Sequence, residues 1–195
     1  MRSKKLVDAF LAFRNDCIWL QTIYNTFSDL YQSESHDVTE LMDATAPAFF
    51  SDLNIILADY FVLQVCRVTD PPATCGHLNL TAFGINDLLQ KHRALTPEIT
   101  SAAEGLLPFR ERLIDARNKL GAHADLQAIL AGQPLGSHTD VEREAFFSSL
   151  YLYVDEVGIT LGVGPLDFRS TAAAGDALDL IRCLRAGRQD AKHRS

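Results

Sequence analysis

Apolar side chains recur every three or four residues from the start of the chain: Leu6, Phe10, Phe13, Cys17, Leu20, Tyr24, Phe27 and Tyr31. That spacing keeps one side chain per turn on one face, so it predicts one long amphipathic helix over about 4–31. Ser33 to Asp37 form a polar break, and a short helix follows to Ala46. Pro47 can open the next helix, because the first turn has no use for the N–H that proline lacks. The third helical pattern covers about 48–69. Phe50, Leu53, Ile56, Leu57, Tyr60, Phe61 and Val65 make a broad apolar face, and this helix is expected to be the most buried. Thr69-Asp70-Pro71-Pro72 stops it, since proline disfavours helix in the residue before it.

Downstream, Thr81 is placed to cap a short helix carrying Phe83, Ile85, Leu88 and Leu89. Thr96 and Pro97 supply a cap and a first-turn proline for a helix expected to run to about Gly121, kinked at Pro108. Its core side chains are Leu106, Phe109, Leu113, Ile114 and Leu120. Gly132, Pro134, Gly136 and Ser137 mark 124–138 as loop, with a turn of helix at Leu126 to Leu130. Thr139, with Glu142 three positions on, forms a capping box for a helix to about Leu161. Its stripe is Phe146, Phe147, Leu150, Tyr151, Val154 and Val157. Gly162 to Asp167 is loop. A last helix covers about 172–186 with Leu178, Ile181 and Leu184 inward, and the polar tail 187–195 is expected to be frayed and flexible. There is no strand pattern of useful length, no repeat and no polar linker. The pattern therefore predicts an all-α bundle of four or more long helices with short accessory helices, in one domain over 1–195.

Composition changes this picture little. Hydrophobic residues are 47% and charged residues 22%, which excludes disorder as the main state. The net charge of −7 excludes a broad basic surface for duplex nucleic acid, so any such contact is local. The four cysteines, Cys17, Cys66, Cys75 and Cys183, include no C-x-x-C pair and fit reduced thiols. Cys75-Gly76-His77 is the nearest approach to a metal cluster, but no second ligand pair stands at a usual spacing. No metal and no cofactor are expected. Nor is there a phosphate-binding glycine loop, a dinucleotide fingerprint or a glycine elbow around a serine. Asn79-Leu80-Thr81 matches a glycosylation acceptor, discounted because no secretory signal accompanies it. The basic start Met1-Arg2-Ser3-Lys4-Lys5 leads into no apolar signal core, and 49–68 carries Asp52, Asn54, Asp59, Gln64 and Arg67, too polar for a membrane span. A cytoplasmic protein without membrane contact is expected.

The chemistry concentrates in Ala116-Arg117-Asn118-Lys119-Leu120-Gly121-Ala122-His123-Ala124-Asp125, at the end of a helical pattern. A histidine titrates near neutral pH and can move a proton. An arginine keeps its charge and can grip a phosphate with two donors. Asn118 and Lys119 add a donor and local positive potential. In a continuous helix, six positions advance about 9 Å and about 240°, so Arg117 and His123 would not share a face. Either Gly121 ends the helix and lets His123 fold back, or a second copy supplies one of the pair.

The arginine, the polar residue after it and the histidine a few positions on resemble the motif of the HEPN superfamily. The wider Ala116–Asp125 sequence is similar to HEPN-like domains of abortive-infection (phage-defence) proteins. Arg67-Val68-Thr69-Asp70-Pro71 at an upstream helix end is a second shared feature. The resemblance covers roughly 5–160. It implies a HEPN-like bundle and metal-independent endoribonuclease action on RNA, in a phage-defence or toxin–antitoxin setting. Arg117 and His123 would then be catalytic, Asn118 and Lys119 would bind RNA phosphate, and Arg67 and Asp70 would support them. It also implies a homodimer whose two motifs face each other, with an antitoxin or other protein as a possible partner.

Plainer readings stand beside it. Arg117 can pair with Asp70 or with acids near Asp115, and His123 can cap a helix C-terminus. Arg67 and Asp70 can be a helix-end ion pair. Arg182, Arg185, Arg188, Lys192 and Arg194 can touch RNA or simply be a solvated helix end. The alternative function is a non-catalytic RNA- or nucleotide-binding, or protein-interaction, module. A composite site predicts an isologous dimer with 113–123 near the interface. Light scattering at tens of micromolar (roughly where modest interfaces hold) should give twice the chain mass; a monomer there counts against the composite site.

Overall fold

The computed structural model describes residues 3–32, 36–121, 137–169 and 173–194, without the side chains of 119–121 and 190–194. The fold class is all-α, a helical bundle. The helices are α1 (Lys4–Tyr31), α2 (His36–Thr45), α3 (Pro47–Thr69), α4 (Ala82–Lys91), α5 (Pro97–Glu104), α6 (Leu107–Gly121), α7 (Asp140–Leu161) and α8 (Ala177–Arg194). A two-residue hairpin, β1 (Ala73–Thr74) and β2 (His77–Leu78), lies between α3 and α4. Two compact units result, Met1–Leu20 with Val62–Arg169, and Gln21–Phe61 with Ser170–Ser195.

The expected caps are in place. The Thr81 hydroxyl accepts from the Gly84 N–H at 3.0 Å, and the Thr96 hydroxyl from the Ile99 N–H at 3.3 Å. At Thr139 the box is complete: Thr139 Oγ1 accepts from the Glu142 N–H at 3.2 Å, and the Thr139 N–H donates to Glu142 Oε2 at 2.8 Å. That backbone bond, then the Thr139 hydroxyl and the Arg112 guanidinium, hold the Glu142 carboxyl below its ordinary range. Each cap satisfies N–H groups that the first helical turn leaves without partners.

Three expectations are corrected. The helix starting at Thr96 is broken, not kinked: α5 stops at Glu104 and α6 starts at Leu107, so Pro108 falls in the first turn of a new helix, where proline fits. Within the helix after Pro47, Phe49, Ile55 and Ile56 are exposed, Ile56 at 61%, so α3 is not the most buried helix. It is long and apolar enough to cross a membrane, a property that core helices share, and a third of its most apolar stretch is buried. Finally, α8 starts later than expected, at Ala177, and continues through the tail to Arg194; Leu178 is exposed, while Ile181 is buried. The expected turn at Leu126 to Leu130 lies outside the described residues.

In the first unit, Leu6, Phe10 and Phe13 of α1, Val65 of α3, Ile85 and Leu89 of α4, Ile99 of α5, Leu113 of α6 and Leu150 and Val154 of α7 are buried. Tyr153 sets its ring edge-on to Phe13 and donates its hydroxyl to Ala82 O at 2.7 Å, tying α7 to the start of α4. In the second unit, Leu30, Val38, Met42, Phe50, Ala177 and Ile181 form a core cluster. Around it, Arg185 pairs with Asp37 at 2.7 Å and Arg188 with Glu40 at 3.8 Å, while Arg182 pairs with Asp179. Three of the tail cations are thus spent on exposed ion pairs, each worth little.

At Gly158 and Gly164 the backbones of α7 and the following loop touch. A Cβ on Gly164 would stand 2.8 Å from Gly158 Cα and 3.0 Å from Gly158 C, with backbone on both sides and nothing able to give. Gly164→Ala is therefore expected to cost about 1–3 kcal/mol by overpacking. Thermal melting reads this, and an unchanged midpoint would show that the loop can move away freely.

Candidate functional site

The site begins where α3 ends. Thr69 turns its hydroxyl back onto the carbonyls of Val65 (2.7 Å) and Cys66 (3.2 Å), and Pro71 blocks another turn. Asp70 therefore emerges at a helix C-terminus, where the exposed carbonyls disfavour a carboxylate. Two guanidiniums offset this. Asp70 Oδ1 accepts from Arg110 Nη2 at 3.2 Å, and Oδ2 accepts from Arg117 Nη2 at 3.4 Å. Both arginines lie on α6 seven positions apart, which is two turns and within about 20° of one face. The side chains of Asp70 and Arg110 are 23% and 21% exposed, and that of Arg117 is 41% exposed.

Arg117 also donates through Nη1 to Asn118 Oδ1 at 3.3 Å. Its fork has five N–H donors, and among the described residues these two bonds leave most of them unspent. Beneath the group, burial pushes the Cys66 thiol up, and the Arg110 guanidinium pulls against that, with Asp70 and Arg117 acting more weakly in opposite directions. Arg110 keeps a buried Nε–H that finds no acceptor among the described residues, so Asp70 is what anchors this charge.

The structure separates two residues that the sequence set side by side. Arg67 does not pair with Asp70; its Nη2 lies 3.2 Å from Asp16 Oδ2 of α1. Residues three apart share a face only while the helix continues. α3 stops between them, so Arg67 stays over α1 and Asp70 turns to α6. Asn118 is exposed beside Arg117. Lys119 belongs to α6, but its side chain lies outside the described residues, and so does the whole of His123. Sequence reasoning missed Arg110, although its seven-residue spacing from Arg117 was the available signal.

After Asp70 the chain is tied down. Asn79 Nδ2 donates to Pro71 O at 2.8 Å and to Thr74 Oγ1 at 2.7 Å. Cys75 and Gly76 both take positive φ, 50° and 82°, and form the two-residue turn between β1 and β2. Among the described residues no group of three His, Cys, Asp or Glu side chains is placed to hold a metal ion. A cleft of about 480 Å³ lies nearby between Pro108, Phe109 and Arg112 of α6 and Glu142, Ala145 and Phe146 of α7. Of its three charged lining residues, Arg112 and Glu142 pair at 2.9 Å, and Glu111 adds a second carboxylate.

An all-α bundle with a partly exposed arginine near the end of one helix, braced by an acid at the end of another, is the class that fold and site define. AbiU2, an abortive-infection HEPN-type domain, matches residues 3–180, and the chain belongs to that family. No curated protein and no solved structure matches.

Because the Arg67–Asp16 pair stands in solvent, with Arg67 57% exposed, Arg67→Ala should change stability by less than about 1 kcal/mol. A melt shifted by much more would mean that Arg67 braces the end of α3 after all.

Proposed function

We propose that this HEPN domain acts on RNA as a metal-independent endoribonuclease in a phage-defence or toxin–antitoxin setting. Arg117 takes the phosphate as negative charge builds on it. His123 is the general acid or base that moves the proton of the ribose 2′-hydroxyl or of the leaving oxygen. Asn118 and Lys119 assist at the phosphate. The working form is a homodimer in the cytoplasm, with an antitoxin or other protein as a further partner. One observation carries the reading: Arg117 is held by Asp70 near the end of α6 while its side chain remains 41% exposed. A guanidinium fixed before substrate arrives loses little entropy on binding phosphate.

The second reading is a non-catalytic RNA- or nucleotide-binding, or protein-interaction, module. The Arg117–Asp70 pair favours it too, because a purely structural arginine makes the same bond.

Defined RNAs incubated with the pure protein, with and without chelator, separate the two. Cleavage is expected to survive chelation. His123→Ala and Arg117→Ala should each lower it about a hundredfold or more. Both should stay folded; for Arg117→Ala, Asp70 keeps its bond to Arg110. Arg117→Lys should also be poor, because an ammonium lacks the two-donor fork. Activity that needs a divalent ion, or that survives His123→Ala, defeats this mechanism.

A further inference from the structure

Resting on that reading of Arg117, we propose that Asp70 and Arg110 are positioning residues for RNA cleavage: the carboxylate, anchored by Arg110, holds the Arg117 guanidinium in place. Neither needs to touch RNA. Three observations support the arrangement. First, Asp70 divides its oxygens, Oδ1 to Arg110 at 3.2 Å and Oδ2 to Arg117 at 3.4 Å, so each guanidinium limits where the carboxylate can move for the other. Second, exposure is graded, 21% for Arg110 against 41% for Arg117, so one arginine serves as the less exposed anchor and the other meets solvent. Third, Asp70 itself is held from both sides in sequence, by the Thr69 hydroxyl on the α3 carbonyls and by Asn79 on Pro71 O.

The charges fit this division of labour. Two arginines and one carboxylate leave a net single positive charge, enough to attract a phosphodiester without two bare cations facing each other. Removing the carboxylate charge would let both guanidiniums repel. Arg117, the more exposed, has the freedom to swing away. Binding energy would then be spent on recapturing it, and the loss would appear in the chemical step.

The variants are Asp70→Asn, which keeps the shape and removes the charge, and Arg110→Gln, which removes the anchor and leaves the Asp70–Arg117 bond possible. Each is measured alone and in the Arg117→Ala background, on one defined RNA under single-turnover conditions, with a thermal melt beside it. Asp70→Asn should lower the cleavage rate about tenfold or more, mostly in the rate at saturating protein rather than in the half-saturating concentration, with the melt moved by only a few degrees. Arg110→Gln should give a smaller loss of the same kind. In the Arg117→Ala background both losses should shrink to less than about twofold, because the group they position is gone. If Asp70→Asn does not fold, Arg110→Gln carries the comparison alone. Equal activity of Asp70→Asn and wild type overturns the proposal, as does a loss of the same size with and without Arg117, which marks Asp70 as a brace between helices. A wild type that cleaves no RNA overturns the proposed function itself, and this inference with it.

Discussion

A carboxylate at the wrong end of a helix is the constraint on which the site depends. Asp70 follows the last turn of α3, where backbone carbonyls already concentrate negative charge. Its position is tolerable because α6 brings Arg110 and Arg117 to its two oxygens. The same pair of bonds ties the end of α3 to α6. It also decides where the more exposed guanidinium is found. Structure and chemistry are therefore not separable here, because one ionic group serves both.

The surrounding order comes from helix punctuation. Thr81, Thr96 and Thr139 each cap a helix with a side-chain oxygen. Pro47 and Pro97 open helices, and Gly162 closes α7 with a left-handed backbone at φ 74°. Such devices fix where α3, α4, α5 and α7 begin. The broken join at Gly105-Leu106 has a packing reason as well: a Cβ on Gly105 would stand 2.6 Å from the Ser149 hydroxyl of α7. The close approach of Gly105 to Ser149 of α7 leaves little room for a side chain there, and glycine is also a weak helix residue. Breaking the helix at that position lets α6 take its own direction toward Asp70.

Helix positions were largely legible in the sequence because they rest on local rules. Apolar spacing placed α1 at Lys4–Tyr31 and α7 at Asp140–Leu161, and the Asp70-Pro71 step ended α3 at Thr69. Half-legible were the faces. Ile56 belongs to the apolar pattern of α3 yet stands 61% exposed, since a helix as apolar as this one offers several faces and periodicity does not say which finds a neighbour. The far end of the last helix was misplaced for a related reason. Its polar composition hides a helix whose Arg185 and Arg188 meet Asp37 and Glu40 of α2, more than a hundred residues away in sequence.

By itself, the sequence determined the all-α class, the capped helix starts and the motif at Arg117-Asn118, because capping, proline geometry and helical period act over a few residues. It left Asp70 a choice between Arg67, three residues away, and Arg117, forty-seven residues away. Only the tertiary structure decided it. Partnership across such a distance depends on which way a chain turns after its helix stops and on which helix is packed there. Arg67 went to Asp16, Arg117 joined Arg110 on the carboxylate, and that assignment is a property of packing that no local pattern encodes.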